Sequence, residues 1–272
     1  MNFDFSTLAL IRQERPLVHA VTNFVTANFC ADVLLAAGAS PMMADSPQEA
    51  ADATKCADAL YLNIGTINPP SLDAMLVSGR AAKERHIPVV FDPVGVGATP
   101  ARQEAAAKII REVRPDVVKG NLAEMLFLSG ISGIPGRGVD AGKIDLEQSL
   151  IVDGLRRFAS EHQLIAIATG KRDFITDGAS TVVIFNDCPM LENITGTGCA
   201  LGALCAACAI QKETLFASQF SAVIAMGVAG EIASRSLPNA NACGTFKVKL
   251  LDAIGNLTDR DLQIRGKYEF LA

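Results

Sequence analysis

Short runs of apolar residues alternate along this chain with longer segments of helical period. Each run holds about five residues and ends in Gly, Asn or Asp, which is typical of strands covered on both faces. Helical patterns at 71–85 and 102–113 lie between the runs. Strands joined by helices in this way predict a parallel sheet with helices on both sides. The runs are ALYLNIG from Ala59, HIPVVFDPVGVG from His86, PDVVKGN from Pro115 and LIAIATG from Leu164.

The N-terminal region adds three further elements to this pattern. A short apolar run covers 16–20, and the spacing predicts a helix over 23–37 that stops at Gly38. Residues 40–44 are expected to be extended. Ser46 followed by Pro47, with Glu49 three residues after the serine, matches a capping box and predicts a helix beginning there.

The C-terminal half differs in its pattern. FITDG from Phe174, followed by STVVIF from Ser180, resembles a hairpin with Asp-Gly at its turn, which adds antiparallel strands at one edge. From Gly196 onward the pattern is helical. Since the chain contains no linker, repeat or low-complexity tract, we expect one three-layer α/β domain over 1–272, with a mostly parallel central sheet and an antiparallel edge.

The composition of the 272 residues narrows the function class. Half of them are hydrophobic, which is enough for a large core, and the net charge is −5. The acidic balance weighs against a nucleic-acid-binding protein, because no basic excess is present to neutralise phosphates. The longest weakly polar run, 195–210, is shorter than the roughly 20 residues of a spanning helix. Charged residues interrupt the N-terminal apolar pattern, unlike in a signal peptide, so we expect a cytoplasmic protein that does not bind membranes.

The seven cysteines are odd in number and irregular in spacing, which favours reduced thiols over a disulfide framework. Cys205 and Cys208 have the spacing of a redox or zinc half-site, but their Ala-rich flanks favour a buried helix. No second cysteine pair or suitably spaced histidine completes a zinc site.

Polar residues cluster where the predicted strands end. Ligands of parallel sheets bind beyond the carboxyl ends of the strands, so these positions form a site hypothesis. They include Asn23, Asn63, Asp92, Lys119, Asn121, Glu124 and Thr169.

The strongest local motif is NITGTGCALGA from Asn193. Its glycines let the backbone approach a ligand, and the unpaired N–H groups that open the following helix attract phosphate or a developing negative charge. Tight helix packing is the alternative explanation for these glycines.

Cys199 lies at the helix start, where the helix field is expected to lower the pKa of the thiol so that a thiolate accepts a proton from a substrate hydroxyl. A small buried hydrophobe is the alternative role. A cysteine hydrolase would need a partner such as His19, and no signature of that class is present.

Oxygen ligands for Mg²⁺ are available at the same strand ends. Asp92, Asn121 and Glu124 could hold the ion, through waters, because Mg²⁺ prefers oxygen and retains part of its hydration shell. A turn at Asp92 and an ordinary first-turn acid at Glu124 are the alternatives. Lys119 is a candidate contact for phosphate, or a solvated side chain. Met43 either fills a gap in the core or packs against a small aromatic ring.

Seven blocks that run in order across nearly the whole chain resemble the hydroxyethylthiazole kinase family. More distantly, NLAE from Asn121 and the Gly-Thr-Gly-Cys loop resemble ribokinase-like kinases. The blocks are PLVHAVTNFVTANFCADVLLAAGASPMMADSPQEA from Pro16, LNIGT from Leu62, DPVGVGAT from Asp92, VKGNLAEM from Val118, GRGVD from Gly136, ATGKRDFITDG from Ala168 and TGTGCALGA from Thr195.

The resemblance implies a ribokinase-like fold and a reaction. That family phosphorylates the alcohol of 4-methyl-5-(2-hydroxyethyl)thiazole with Mg-ATP, a salvage step toward thiamine. It usually assembles as a homotrimer with thiazole pockets between subunits. Two departures from the family pattern are Asp32 in place of Asn and Cys243-Gly-Thr-Phe in place of Pro-Gly-Ser-Phe, and neither touches the proposed phosphate loop.

Site roles are carried over by motif. The resemblance implies Cys199 as the catalytic residue, where other ribokinase-like kinases usually carry Asp. Lys119 falls where the family often has Arg, so the charge is kept but the bidentate fork is lost. The substrate side is predicted to comprise Met43, Gly196 and Asn23; the ATP side Lys119, Thr169, Thr197, Gly198 and Asn121; and the metal ligands Asp92 and Glu124.

Three alternatives remain open at this point. A related vitamin kinase would act on a hydroxymethylpyrimidine or on the alcohol of pyridoxal. A nucleotide-binding oxidoreductase would need a glycine-rich loop after the first strand and an acid about 20 residues further on, which this sequence lacks. A non-catalytic binding protein would show no ATP turnover that depends on an added alcohol.

Overall fold

A computed structural model describes residues 5–131, 147–210 and 214–271. Within them the strands are β1 Leu17–Val21, β2 Ser40–Met42, β3 Ala59–Asn63, β4 Val89–Asp92, β5 Val117–Asn121, β6 Ile165–Thr169, β7 Asp173–Thr176, β8 Thr181–Ile184 and β9 Tyr268–Leu271. They form one sheet in the order β2-β1-β3-β4-β5-β6-β7-β8-β9. The strands from β2 to β6 pair in parallel, whereas β7, β8 and β9 pair antiparallel.

Helices cover both faces of this sheet. Their bounds are α1 Thr7–Glu14, α2 Ala27–Ala37, α3 Ala50–Cys56, α4 Pro69–Arg85, α5 Pro100–Val113, α6 Leu122–Leu128, α7 Gln148–His162, α8 Thr197–Cys208, α9 Leu215–Ser234, α10 Cys243–Asn256 and α11 Asp259–Arg265. One core joins the sheet to α1, α2 and α8–α11, and a second joins its other face to α4–α7. Alternate residues of the central strands enter the two cores, as in Leu60 and Tyr61 of β3. The three-layer α/β architecture with an antiparallel edge is confirmed.

The prediction of a helix from residue 23 was wrong at its start. Asn23 accepts a hydrogen bond from the Thr26 N–H through its side-chain oxygen, at 3.1 Å, and residues 24–26 form a turn. The helix therefore begins at Ala27 and ends, as predicted, at Gly38 in the left-handed region. This turn keeps the Asn23 side chain at the end of the sheet instead of on a helix face.

The predicted capping box at Ser46 was also wrong. The Ser46 hydroxyl donates to Gln48 Oε1 at 2.6 Å, and the Ser46 carbonyl accepts from the N–H groups of Glu49 and Ala50. A turn thus precedes α3, and Glu49 occupies the cap position without a side-chain cap bond.

The antiparallel edge was only partly predicted. The hairpin of β7 and β8 is confirmed, with Gly178 in the left-handed region at its turn. Strand β9 contradicts the expectation that the chain is helical from Gly196 to its end. Four residues at an outer edge give a weak pattern, although Tyr268 and Phe270 are residues that favour strands.

The expectation that 195–210 is the longest weakly polar run was wrong, because α9, a described helix of 20 residues, is long and apolar enough to cross a membrane by length and composition. Of its apolar window, 72% is buried inside the protein. Because α8, α10 and α11 pack around it, α9 is a core helix. The resembling block at 136–140 lies outside the described residues.

Candidate functional site

The carboxyl ends of the parallel strands bring most of the predicted residues together. Asn63 and Asp92 are the last residues of the neighbouring strands β3 and β4, Lys119 lies within the adjacent strand β5, and Asn23 follows β1. All four side chains are buried. Cys199 reaches this cluster from the first turn of α8.

The start of α8 has the glycine turn and the helix opening that the sequence predicted. Gly196 is the residue before the helix and has a φ of 94°, and a Cβ there would lie 2.6 Å from Thr26 Cγ2. Only glycine suits this position, since both the backbone conformation and the contact exclude a side chain. The first N–H groups of α8 have no intrahelical partner and carry positive partial charge.

Two asparagines connect Cys199 to the strand ends. Asn23 Nδ2 donates to Asn63 Oδ1 at 2.9 Å and to Cys199 Sγ at 3.5 Å. Asn63 Oδ1 also accepts from the Gly65 N–H at 2.9 Å. The amide side chains are therefore fixed in orientation beside the thiol.

Lys119 and Asp92 form a buried ion pair below the α8 loop. Lys119 Nζ lies 3.4 Å from Asp92 Oδ2 and donates to the Gly198 carbonyl at 3.0 Å. The side chains are 4% and 1% exposed, so the pair is shielded from water. Burial alone would lower the pKa of Lys119, but the negative charge of Asp92 reverses this effect and raises the pKa, so the ammonium stays charged. Lys119 is thus not a solvated side chain.

Asp92 carries the free carboxylate oxygen of the cluster. Burial raises its pKa, and Lys119 and the Tyr61 hydroxyl partly offset that increase. Oδ2 receives both of these donors, whereas buried Oδ1 has no hydrogen-bond partner among the described residues. A buried carboxylate oxygen left without a partner is the type of atom that Mg²⁺ or its bound water contacts.

Glu124 is held more tightly than the sequence suggested. Its Oε1 accepts from the Gly95 N–H and its Oε2 from the Asn121 N–H, both at 2.7 Å. Asn121 and Glu124 form a reciprocal capping box at the start of α6. Burial and the charge of Asp92 raise the pKa of Glu124 to about 7. In the described part of the chain, no three His, Cys, Asp or Glu side chains are grouped to hold a metal directly.

The expected lowering of the Cys199 pKa was wrong. Burial, followed by the charge of Asp92, raises the pKa of this thiol above its ordinary value, although Lys119 opposes the change. Desolvation and a nearby carboxylate outweigh the field of the helix start. The resting thiol is therefore protonated at neutral pH.

Two predicted threonines already have partners for their hydroxyls. Thr197 Oγ1 donates to the Leu191 carbonyl at 2.8 Å, and Thr169 Oγ1 donates to the Gly120 carbonyl at 3.2 Å. A ligand at Thr197 would meet the backbone N–H, while Thr169 offers the remaining lone pairs of its hydroxyl.

A cavity of about 190 Å³ adjoins the cluster. Thr22 and Asn63 line it from the strand ends, and Met43 and Phe24 line it from the loops. A second cavity, of about 760 Å³, lies between α5, α6 and α7 and contains none of the predicted site residues. The smaller cavity is the candidate pocket because it shares Asn63 with the Cys199 cluster.

Two site residues were missed by sequence reasoning. Tyr61 was taken only as part of a strand, although a buried tyrosine in an apolar run usually has a partner for its hydroxyl. Arg102 bonds the carbonyls of Ile64, Val94 and Gly65 at 2.6–2.7 Å and fixes the loops after β3 and β4. No sequence signal distinguishes this arginine from an ordinary first-turn residue.

Nearly the whole chain is similar to proteins of one known family. The model of the hydroxyethylthiazole kinase family matches residues 8–260. A hydroxyethylthiazole kinase from Clostridium beijerinckii is 42% identical over 266 residues, covering 96% of this chain and 95% of its own length. The structure of a hydroxyethylthiazole kinase from Pyrococcus horikoshii OT3 superposes with a TM-score of 0.86 at 33% identity, covering 98% of each chain.

More distant structures share the fold. A pyridoxal kinase from Staphylococcus aureus in complex with ADP has a TM-score of 0.60 at 15% identity, over 79% of this chain and 87% of its own. A ribokinase-like superfamily protein from Enterococcus faecalis V583 has a TM-score of 0.62 at 10% identity, over 88% of this chain and 86% of its own. These similarities confirm the ribokinase-like architecture.

Proposed function

Because this chain belongs to the hydroxyethylthiazole kinase family, we propose that its strand-end site transfers the γ-phosphoryl group of ATP to the hydroxyl of 4-methyl-5-(2-hydroxyethyl)thiazole. The reaction is a kinase step in thiamine salvage and biosynthesis. One observation carries the assignment of the site. The small cavity is lined by Asn63, which is bonded to Asn23 beside the Cys199 thiol, and the buried cation of Lys119 contacts the Gly198 carbonyl in the opening turn of α8.

The thiazole ring occupies the smaller cavity in this proposal. Its volume of about 190 Å³ suits a five-membered ring with short substituents, and Met43 supplies an apolar, polarisable wall. The hydroxyethyl group then extends past Asn63 and Asn23 toward Cys199, with Gly196 nearby.

The phosphates of ATP extend to the opposite side of Cys199. The backbone N–H groups of Thr197 and Gly198 receive the terminal phosphate, and Lys119 supplies the positive charge beneath them. Asn121 and Thr169, at the adjacent ends of β5 and β6, contact the remaining part of the nucleotide. Most of the catalysis of phosphoryl transfer comes from such positioning and charge stabilisation.

Asp92 and Glu124 would hold Mg²⁺, with Asp92 Oδ1 as the available oxygen and Glu124 acting through water. When bound, the ion neutralises phosphate charge. The donor set fits it because Mg²⁺ requires only one or two carboxylates and keeps several waters.

Cys199 accepts the proton of the attacking hydroxyl. The thiol lies in the first turn of α8 and is linked through Asn23 to Asn63, which lines the cavity. Asn23 donates to the sulfur at 3.5 Å, which stabilises negative charge on that atom. Because the resting thiol is protonated, we propose that its thiolate form, a minor species at neutral pH, is the active one.

Met43→Ala tests the assignment of the cavity. Loss of a methionine that covers the ring should raise KM for the thiazole alcohol by about 10- to 100-fold, because burial of a methionine side chain contributes roughly 1.5–3 kcal/mol. We expect kcat and KM for ATP to stay nearly unchanged. Steady-state kinetics with each substrate varied in turn measure this. Met42→Ala is the matched control, since Met42 lies in β2 and does not line the cavity. Equal effects of the two variants would contradict the assignment.

Gly198→Val tests the phosphate loop. A branched side chain at the second position of α8 fills the space beside the free N–H groups and approaches Lys119, whose Nζ is 3.2 Å from the Cβ position. We expect kcat/KM for ATP to fall by about 10²-fold or more, as on loss of a preorganised donor. Gly244→Val is the control, because Gly244 holds the second position of α10 and has open space around it. Unchanged ATP kinetics in Gly198→Val would remove the loop assignment.

We propose a cytoplasmic homotrimer of single-domain subunits. Phe24 borders the substrate cavity and is 81% exposed in the isolated chain, and neighbouring Val25 is 58% exposed. An apolar surface at the mouth of a site is what a partner subunit would cover. All seven cysteines are free thiols, in keeping with a reducing compartment.

A coupled assay of ADP production tests the function. Purified protein is given ATP and Mg²⁺ with hydroxyethylthiazole, the hydroxymethylpyrimidine or pyridoxal in parallel. We expect kcat/KM to be highest for the thiazole alcohol. Preference for pyridoxal or the pyrimidine would replace the proposal with a related vitamin kinase. If ADP production does not depend on any added alcohol, a non-catalytic binding protein is favoured instead.

A further inference from the structure

The Tyr61 hydroxyl joins the substrate side of the site to its phosphate side. Tyr61 lies in β3 and is fully buried. Its hydroxyl donates to Asp92 Oδ2 at 3.1 Å and accepts from Asn63 Nδ2 at 2.8 Å. A tyrosine hydroxyl has one proton, so donation to the carboxylate leaves its lone pairs for the amide.

The ring is held against α8 by a glycine. A Cβ at Gly202 would lie 2.6 Å from Tyr61 Cε2 and 2.7 Å from the Tyr61 oxygen. No side chain fits between this helix and the ring, which fixes the position of the hydroxyl relative to α8. The helix that begins at the proposed phosphate loop therefore also fixes where the Tyr61 hydroxyl oxygen lies.

Both partners of the hydroxyl depend on it for their orientation. Asp92 Oδ2 receives its two donors from Tyr61 and Lys119, which leaves Oδ1 as the available oxygen. Asn63 directs its Nδ2 to Tyr61 and its Oδ1 to Asn23 and Gly65. Without the hydroxyl, Asp92 Oδ2 keeps only the longer contact with Lys119, and the asparagine loses an acceptor.

We propose that Tyr61 is a positioning residue that orients Asp92 toward the divalent cation and Asn63 toward the substrate hydroxyl. The inference rests on the proposed function, because it assigns the Asp92 oxygen to the cation. Tyr61 acts through these two side chains and does not itself touch the reacting atoms.

Tyr61→Phe removes the hydroxyl and keeps the ring. We expect kcat to fall by about 10-fold, the loss typical of a hydrogen bond to a charged group, with KM for the thiazole alcohol within about twofold. Tyr268→Phe is the matched control, since Tyr268 is the second tyrosine of the chain and packs on Phe220 and Phe270 in the antiparallel edge. A fall of equal size in both variants would overturn the proposal.

Binding of Mn²⁺ supplies a readout independent of turnover. The full chain is titrated with Mn²⁺ in the presence of the non-hydrolysable analogue AMP-PCP, and free Mn²⁺ is measured by electron paramagnetic resonance. We expect Tyr61→Phe to weaken Mn²⁺ binding by about fivefold, and to cause no further loss in the Asp92→Asn background, because coupled residues are non-additive. The inference would be overturned if Tyr61→Phe left Mn²⁺ affinity unchanged. It would also be overturned if Tyr61→Phe weakened Mn²⁺ binding by the same factor in the Asp92→Asn background as in the wild type.

A second variant covers the case in which Tyr61→Phe does not fold. In Gly202→Ala, the new Cβ on α8 pushes against the Tyr61 ring and displaces its hydroxyl, so this variant should also weaken Mn²⁺ binding. The proposed function and the role of Tyr61 can fail separately. If the wild-type protein does not phosphorylate the thiazole alcohol, the function fails. If the wild-type protein does so and both variants bind Mn²⁺ normally, only the role of Tyr61 fails.

Discussion

Lys119→Met is expected to lower kcat by about 10³-fold, which is in the range found when a preorganised electrostatic group is lost from an active site. Lys119 is the buried cation beneath the α8 loop, and its ammonium group bonds the Gly198 carbonyl. Methionine matches its length without its charge. The loop then loses both a hydrogen bond that shapes it and the charge that stabilises the transferring phosphoryl group. Single-turnover measurements at saturating ATP isolate this effect from nucleotide affinity.

The same substitution should also destabilise the fold. It leaves the Asp92 carboxylate buried without a counter-charge, which costs about 3–5 kcal/mol when one partner of a buried pair is removed. Urea unfolding should show this loss, and Lys119→Met with Asp92→Asn should recover most of it while activity stays low. Lys171→Met is the control, because Lys171 is exposed on the loop after β6. Activity near wild type in a folded Lys119→Met protein would exclude the phosphate role of Lys119.

Cys199→Ala is expected to lower kcat by about 10²-fold and to leave measurable turnover, since a positioned base supplies roughly 10²–10⁴-fold. The loop and Lys119 remain in place, and they supply the electrostatic part of catalysis. Cys199→Asp should be tolerated better than Cys199→Ala, because a carboxylate can accept the proton. Cys205→Ala is the matched control in the same helix, where the thiol is fully buried in the core. Wild-type turnover in Cys199→Ala would remove the role of Cys199 as base.

The pH dependence of kcat distinguishes a thiolate from a carboxylate at residue 199. Burial and Asp92 raise the pKa of the Cys199 thiol, so the thiolate fraction increases with pH through the neutral range and beyond pH 9. The wild-type kcat should therefore rise between about pH 6 and pH 9, whereas that of Cys199→Asp should be flatter above neutrality. A wild-type profile that falls over this range would contradict proton transfer to the thiolate.

Fully buried elements were predictable from the sequence, and marginal ones were not. Strands β3 to β6 are continuous apolar runs, so their burial is visible in composition alone. Strand β9 is short and half exposed at an edge, and its existence depends on pairing with β8. At Ser46 the local capping pattern was present, but the hydroxyl bonded Gln48 and the chain turned before α3 began. Local signals fail where a competing hydrogen bond has similar energy.

Most residues of the site could be predicted from the sequence, but their pKa shifts and hydrogen-bond contacts could not. Asp92 and Lys119 could be found because parallel strands end at one edge of the sheet, and Cys199 because it follows the glycines that open a predicted helix. Whether the pKa of Cys199 is raised or lowered depends on how deeply the thiol is buried and on its distance from Asp92, and both are properties of the tertiary structure. The same holds for the two backbone contacts of Glu124 and for Tyr61, whose role depends on Gly202 of a helix far along the chain.

In the proposed mechanism, the opening turn of α8 receives the terminal phosphate of ATP beside the thiol that faces the substrate hydroxyl. A crystal structure of the protein with AMP-PCP and 4-methyl-5-(2-hydroxyethyl)thiazole tests it most directly. We predict the thiazole ring against Met43, its hydroxyl oxygen within hydrogen-bond distance of Cys199 Sγ, and the terminal phosphate on the N–H groups of Thr197 and Gly198. A nucleotide bound between α5 and α7, or a thiazole hydroxyl directed away from Cys199, would contradict the account.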